Sequence, residues 1–292
     1  MRILSFLFLS IFFFTACERT VEIDLLDRES KLVVEGTIEN GQYPRVILSR
    51  SLDYYSKITP AILESSYIHG AKVTVSNGTR THQLKEYSTR VSDSLRIYYY
   101  AADPASSATV FRGALNGTYT LRIEADGKVF NATTTIPAND LKLDDMWWEP
   151  TPGTDTNKVR VMVRATDPPE RGNYVRYFTA RNRQGYLPGL NSVTDDQVVN
   201  GTSFNIPVDA GFDRSQKLDL DDYGFFRRGD TVSLKFCNID RGTYDFWRTL
   251  DFAFSAAGNP FTSPVKVLGN VEGALGYWGG YGVQYKTIII PK

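Results

Sequence analysis

The feature that most constrains the fold is the alternation of apolar and polar residues at a period of two. It is clearest where Tyr119, Leu121 and Ile123 alternate with Thr120, Arg122 and Glu124, reach Asp126-Gly127, and return through Val129 to Ile136. Side chains at that period lie on opposite faces of an extended strand, and Asp-Gly supplies the positive φ of a tight turn, so the stretch predicts a β-hairpin. Lys31–Ile38, Arg45–Ser49, Ala71–Ser76 and Arg96–Tyr100 carry the same pattern, separated by turn residues such as Asn40-Gly41 and Asn77-Gly78. About seven strands in roughly 110 residues predict an all-β protein that begins with an immunoglobulin-like or transthyretin-like β-sandwich over residues 31–137, with Tyr119 as its corner tyrosine.

After Ile136-Pro137 the chain enters an acidic-aromatic stretch, Leu143 to Pro150, containing Trp147-Trp148. A domain boundary is placed there. Alternation resumes at Lys158–Ala165, Asn173–Ala180, Thr202–Val208, Thr231–Ile239 and Gly282–Ile290. Thr243–Ser255 instead spaces Tyr244, Trp247, Leu250 and Phe254 at helical intervals. Residues 138–292 therefore predict a second, mainly β domain with one helix.

The N-terminus reads as an export signal. One cation, Arg2, precedes an apolar run from Ile3 to Phe14, then Thr15 and Ala16 stand before Cys17. Twelve residues rise about 18 Å as a helix, too short for the roughly 30 Å hydrocarbon core of a bilayer. Phe14-Thr15-Ala16-Cys17 resembles a lipobox, which makes residues 1–16 a lipoprotein signal peptide, Cys17 the lipidation site and residues 17–30 a lipid-anchored linker. With Cys17 acylated, Cys237 has no partner for a disulfide and reads as a buried, inert thiol.

Candidate chemistry is sparse. Thirty-three basic and 33 acidic residues cancel, which gives nucleic acid no electrostatic footprint, and two His and two Cys leave little for metal or histidine chemistry. Six glycines fall between Gly269 and Gly282, but no Gly-Lys-Ser/Thr and no following helix accompany them, so a glycine-bulged strand pair is expected rather than a phosphate loop. Asp195-Asp196 and Asp219-Leu-Asp221-Asp222 lack the spacing of a calcium loop. His69 and His82 occur without a Gly-x-Ser-x-Gly elbow. No catalytic residue, metal or cofactor is expected.

The surplus is aromatic: Tyr54-Tyr55, Tyr98-Tyr99-Tyr100, Trp147-Trp148 and Tyr277-Trp278 are adjacent. Neighbours in a strand point to opposite faces, so one of each pair is expected outside the core, where it serves a sugar ring, a peptide or a protein interface. Trp147, Trp148, Tyr277 and Trp278 are the candidate binding residues.

Four stretches together resemble the Bacteroidota lipoprotein family known as domain of unknown function 4249. They are Cys17 before Lys31-Leu-Val-Val-Glu-Gly36; Gly117-Thr-Tyr-Thr-Leu-Arg-Ile123 ending in Thr135-Ile-Pro137; Asp167-Pro168 with Asn173-Tyr174-Val-Arg176; and Asn259-Pro-Phe261 through Asn270-Val-Glu-Gly273 to Leu275-Gly-Tyr-Trp-Gly279. The resemblance implies an outer-membrane lipoprotein, held by lipid at Cys17, that acts as a non-catalytic accessory of a TonB-dependent nutrient uptake system and binds the receptor or its substrate. The surface-exposed assignment rests on the family, because Glu18 and Asp24 are too sparse to form an export signal to the outer leaflet. Two alternatives stay open: a surface hydrolase acting on glycan or peptide through carboxylates, and a structural or adhesive lipoprotein.

Overall fold

The computed structural model describes residues 30–52, 57–213, 216–219, 221–256 and 265–292. Cys17, the signal segment, Tyr54-Tyr55 and the Asn259–Phe261 stretch lie outside the described residues. The chain is mainly β. Seven strands come first: β1 (Leu32–Glu39), β2 (Arg45–Arg50), β3 (Lys72–Ser76), β4 (Thr81–Ser92), β5 (Leu95–Ala101), β6 (Thr118–Ala125) and β7 (Lys128–Thr135), with a short helix α1 (Pro60–Ser66) between β2 and β3. There follow β8 (Lys142–Pro150), β9 (Lys158–Thr166), β10 (Tyr174–Arg181), β11 (Leu187–Asp195), β12 (Ser203–Val208), β13 (Phe226–Arg227), β14 (Thr231–Ile239), the helix α2 (Arg241–Ala256) and β15 (Leu275–Ile289).

Period-two residues become buried and exposed faces as the alternation demands. In β6, Tyr119, Leu121 and Ile123 are buried while the intervening residues stay wet, and Asp126 and Gly127 take positive φ at the hairpin tip. Tyr119 is indeed a corner residue: its hydroxyl oxygen accepts the N–H of Ala114 at 2.7 Å. Strand β4 passes between layers, pairing with β3 over Thr81–Leu84 and with β5 over Lys85–Ser92. One apolar cluster, with Val34, Leu48, Val75, Tyr100, Leu121 and Phe130 among its members, joins the two layers so formed.

The large sheet runs β11-β10-β14-β15-β1-β2-β5-β4-β3-β6-β7. Its centre is a parallel pairing of β1 with β15, from Val33 opposite Leu275 to Glu39 opposite Tyr281. Residues Lys31–Lys292 form one compact unit. Within it the apolar clusters change over after Ile136: from Leu141 onward, residues of β8, β9, β10 and β14 build a second core with Phe226 and Ile290. That core lies against a separate small sheet in which β9 is flanked by β8 on one side and by β12 and β13 on the other.

The period-two and helical patterns leave five elements unmarked: α1, β4, β8, β11 and β13. Helix α1 starts at Thr59, whose hydroxyl accepts the N–H of Ile62, with Pro60 in the first turn. The acidic-aromatic stretch placed at the boundary is the strand β8, disguised by a bulge between Leu143 and Asp145. Helix α2 is capped by Asp240: one carboxylate oxygen accepts the N–H of Thr243 at 2.8 Å, and the other accepts the Thr134 hydroxyl at 2.6 Å and the Thr135 N–H at 3.0 Å. The cap therefore also ties the helix to the end of β7. Tyr244, Phe246, Trp247 and Leu250 then cover the outer face of β14 and β15.

Candidate binding face

The glycines of β15 explain why Tyr277 and Trp278 are not where surface chemistry needs them. A Cβ on Gly276 would stand 1.9 Å from the Val34 carbonyl oxygen, and one on Gly280 would stand 2.4 Å from that of Thr135. The glycines let β15 pass between other backbones, and no phosphate loop forms. Both faces of the strand are then covered. Trp278 is fully buried in the sandwich core, with its Nε1 donating to the Tyr119 carbonyl oxygen at 2.9 Å. Tyr277 is 3% exposed, stacked on Phe246 with 4.5 Å between centroids and edge-on to Trp247 at 5.1 Å. The expected docking loop is thus a strand interior, and neither side chain offers a contact surface. The rule that one of two neighbours is solvated fails where a helix covers the second face of a sheet.

Trp147 and Trp148 are both half-buried. Beyond the bulge, Met146 and Trp148 turn inward and Trp148 packs on the second core, with the Arg228 guanidinium 4.9 Å from its ring. Trp147 turns outward, but its Nε1 donates to Glu149 at 2.8 Å and Arg164 lies 5.9 Å from its ring. Both indoles are partly covered by arginines from the same chain.

The other sequence candidates have structural duties. His82 is buried, with Nδ1 against the Thr109 hydroxyl at 2.9 Å and Nε2 accepting the Asp103 N–H at 3.1 Å. His69 pairs with Glu86, which also accepts the N–H of Gly70. Asp195 accepts the Tyr244 hydroxyl at 2.9 Å, Asp196 accepts the N–H groups of Gly172 and Asn173, and Asp222 binds Lys158 and Arg227. Among the described residues no group of three or more His, Cys, Asp or Glu side chains is arranged to hold a metal ion. Cys237 is enclosed, and burial pushes its thiol up to about 12.

A different surface gathers open polar and aromatic groups. The register of β1, β2, β5 and β4 sets Glu35 opposite Ile47, Thr37 opposite Arg45, Arg45 opposite Ala101, and Tyr87 opposite Tyr99. These positions all lie on the face opposite the sandwich core. Helix α2 covers that face over β14 and β15 and stops beside Tyr277, the register partner of Glu35. On the open strip the Arg45 guanidinium sits 4.3 Å from the Tyr99 ring, and Tyr99 stacks on Tyr87 with 6.0 Å between centroids. Glu35 reaches solvent but is crowded by protein. That crowding pushes its carboxyl above the usual range, while Arg45 and Arg176 pull it down. The arrangement supplies a hydrogen-bonding carboxyl, a guanidinium and aromatic faces on one rigid sheet, which is suited to a polar ligand with a flat or ring-shaped face. The outward parity of Glu35, Arg45 and Tyr99 was legible in the alternation; their adjacency depends on the β2–β5 pairing, which was not.

No curated protein matches the chain. A family model described as a domain of unknown function (DUF4249) matches residues 18–287, the whole of the sandwich, the helix and nearly all of the last strand, and the chain belongs to that family.

Proposed function

We propose that the protein is a non-catalytic binding lipoprotein of the outer membrane, anchored through Cys17 and serving a TonB-dependent uptake system, and that it engages the receptor or its substrate through the open face around Arg45, Tyr99 and Tyr87. The carrying observation is the cation–aromatic row on β2, β5 and β4 left uncovered beside helix α2. The envelope location and the uptake partner rest on the lipobox-like Cys17 and on the family resemblance. Against a carboxylate hydrolase stands the placement of Glu35. The neighbouring carboxylate on its strand face, Glu39, is four residues away, about 13 Å between Cα atoms, and is engaged by Lys235. A glycosidase needs two free carboxyl groups roughly 5 to 10 Å apart, and the ion pair with Lys235 takes Glu39 out of that role.

The test is affinity capture of the full chain from detergent-solubilised membranes, with Arg45→Ala and Tyr99→Ala compared with wild type. A TonB-dependent receptor recovered with wild type and depleted with both variants supports the reading. Hydrolysis of a glycan or peptide by the purified protein alone overturns it. Anchoring is tested separately by acyl labelling, which should be lost in Cys17→Ser.

A further inference from the structure

Strand β15 is longer than its neighbour. Its first part, Leu275–Tyr281, pairs with β1 and its second part, Tyr281–Ile289, pairs with β14, so the two pairings meet only at Tyr281, where β1 ends. From there to Ile289 only β14 lies alongside. The direction of the main-chain groups follows from the bonds at the change-over. The Tyr281 carbonyl accepts the Asn40 N–H, and the Val283 N–H donates to the Asn40 side chain, so odd-numbered residues point their N–H and C=O toward the β1 side. Ile290 exchanges main-chain bonds with Gly229 and Asp230 on the β14 side. Tyr285, Thr287 and Ile289 therefore present their N–H and C=O groups to an edge that no strand among the described residues occupies.

The side chains of the same three residues share the outer face. Tyr285 is 57% and Ile289 is 73% exposed, with Tyr186 packed 5.9 Å from the Tyr285 ring. The usual charged guard of an edge is withdrawn, because Lys286 turns to the opposite face and donates its Nζ to the Asp144 carbonyl.

We propose that this edge pairs with the same edge of a second copy of the chain, as an antiparallel, two-fold symmetric interface centred on Thr287. The sequence of the edge is self-complementary in that register. Thr287 meets Thr287 of the partner subunit, and Tyr285 meets Ile289 of the partner subunit at each end. Both are favourable cross-strand pairs, and no like charges are opposed. Residues 285, 287 and 289 all become hydrogen-bonded positions, which satisfies the open main-chain groups of both copies. The three outward side chains of the edge are uncharged and complement themselves in this register, and the nearest charges on that face, Lys235 and Glu39, are already paired with each other, which favours a second copy over a charged foreign strand.

Sedimentation of the full chain in detergent should show a concentration-dependent dimer. Ile289→Lys should weaken it by about tenfold, since an aromatic–aliphatic pair is lost at each end. Near-UV circular dichroism of the variant should match wild type, because the site is on the surface. Thr287→Cys, made in a Cys17→Ser background, should form an intermolecular disulfide on mild oxidation. Paired Cα atoms at such a position are ~5.5 Å apart, within disulfide reach. Ser94→Cys, on the β4–β5 hairpin, should not. A monomer at all concentrations, or a dimer indifferent to Ile289→Lys without the Thr287→Cys crosslink, overturns the proposal. So does a monomer that binds a labelled peptide of residues 284–290, which would mark the edge as a site for a foreign strand.

Discussion

The indole nitrogen of Trp278 donates to the main-chain oxygen of Tyr119 at 2.9 Å, and this bond fastens the last strand of the chain inside the sandwich made by the first seven. The indole fills the space between β1 and β6 so closely that a Cβ on Gly36 would stand 2.6 Å from its ring. Trp278→Ala should therefore cost about 3 to 5 kcal/mol, and Gly36→Ala, by overpacking, about 1 to 3 kcal/mol. Urea denaturation followed by far-UV circular dichroism measures both. Trp278→Ala stability within 1 kcal/mol of wild type would show the indole to be dispensable to the core.

The corner at Tyr119 can be tested with almost no change of volume. Its hydroxyl accepts the Ala114 N–H, and Gly117 leaves room for it: a Cβ there would stand 2.4 Å from the phenolic oxygen. Tyr119→Phe should destabilise by about 1 to 3 kcal/mol through the unpaired N–H, and hydrogen exchange at Ala114 should accelerate. Unchanged exchange at that amide would refute the role.

Local pattern carried most of the fold and little of its assembly. Thr231–Ile239 is strand over the same nine residues that alternation marks, and the helix expected at Thr243–Ser255 runs from Arg241 to Ala256. Period and capping are properties of neighbouring residues, so they show in sequence. The β1–β15 pairing joins Glu35 to Tyr277, and nothing local announces a contact over that separation. The same gap hid that two of the candidate residues are enclosed. That Tyr277 and Trp278 lie on opposite faces was readable; that a core covers one face and α2 the other was not. Arg45 and Tyr99 looked ordinary until β2 and β5 were seen side by side.

His82 sets a pH dependence whose sign follows from its burial. Desolvation holds the imidazole below its ordinary value of 6.5, with Asp103 opposing the shift. Its Nε2 accepts the Asp103 N–H, so the folded ring is neutral with its proton on Nδ1, facing Thr109. As pH falls below about 6.5 the unfolded chain takes up a proton that the folded chain refuses. Stability therefore declines through that window and levels off below the folded value. The urea midpoint of wild type should drop more between pH 7.5 and pH 5 than that of His82→Gln, which removes the titrating group. Equal drops would assign the pH response to other residues.

Cys237 reports on opening of the whole β14–β15–α2 layer. It is enclosed beside Ile239, Tyr244 and Tyr281, and burial raises its thiol to about 12, an effect Lys235 reduces and Glu39 reinforces. At pH 8 a thiol of that value is ionised to ~1 part in 10,000, whereas an unfolded cysteine is ionised to roughly a quarter. Alkylation of a chain beginning at Glu18 should then be negligible in the native state and complete in urea. At intermediate denaturant the labelling rate should follow the equilibrium population of the unfolded form. Removing the indole that anchors β15, as in Trp278→Ala, should raise the native labelling rate by the factor its loss of stability dictates, about tenfold for each 1.4 kcal/mol. Rapid stoichiometric labelling of the wild type without denaturant would show that α2 opens independently of the sheet beneath it.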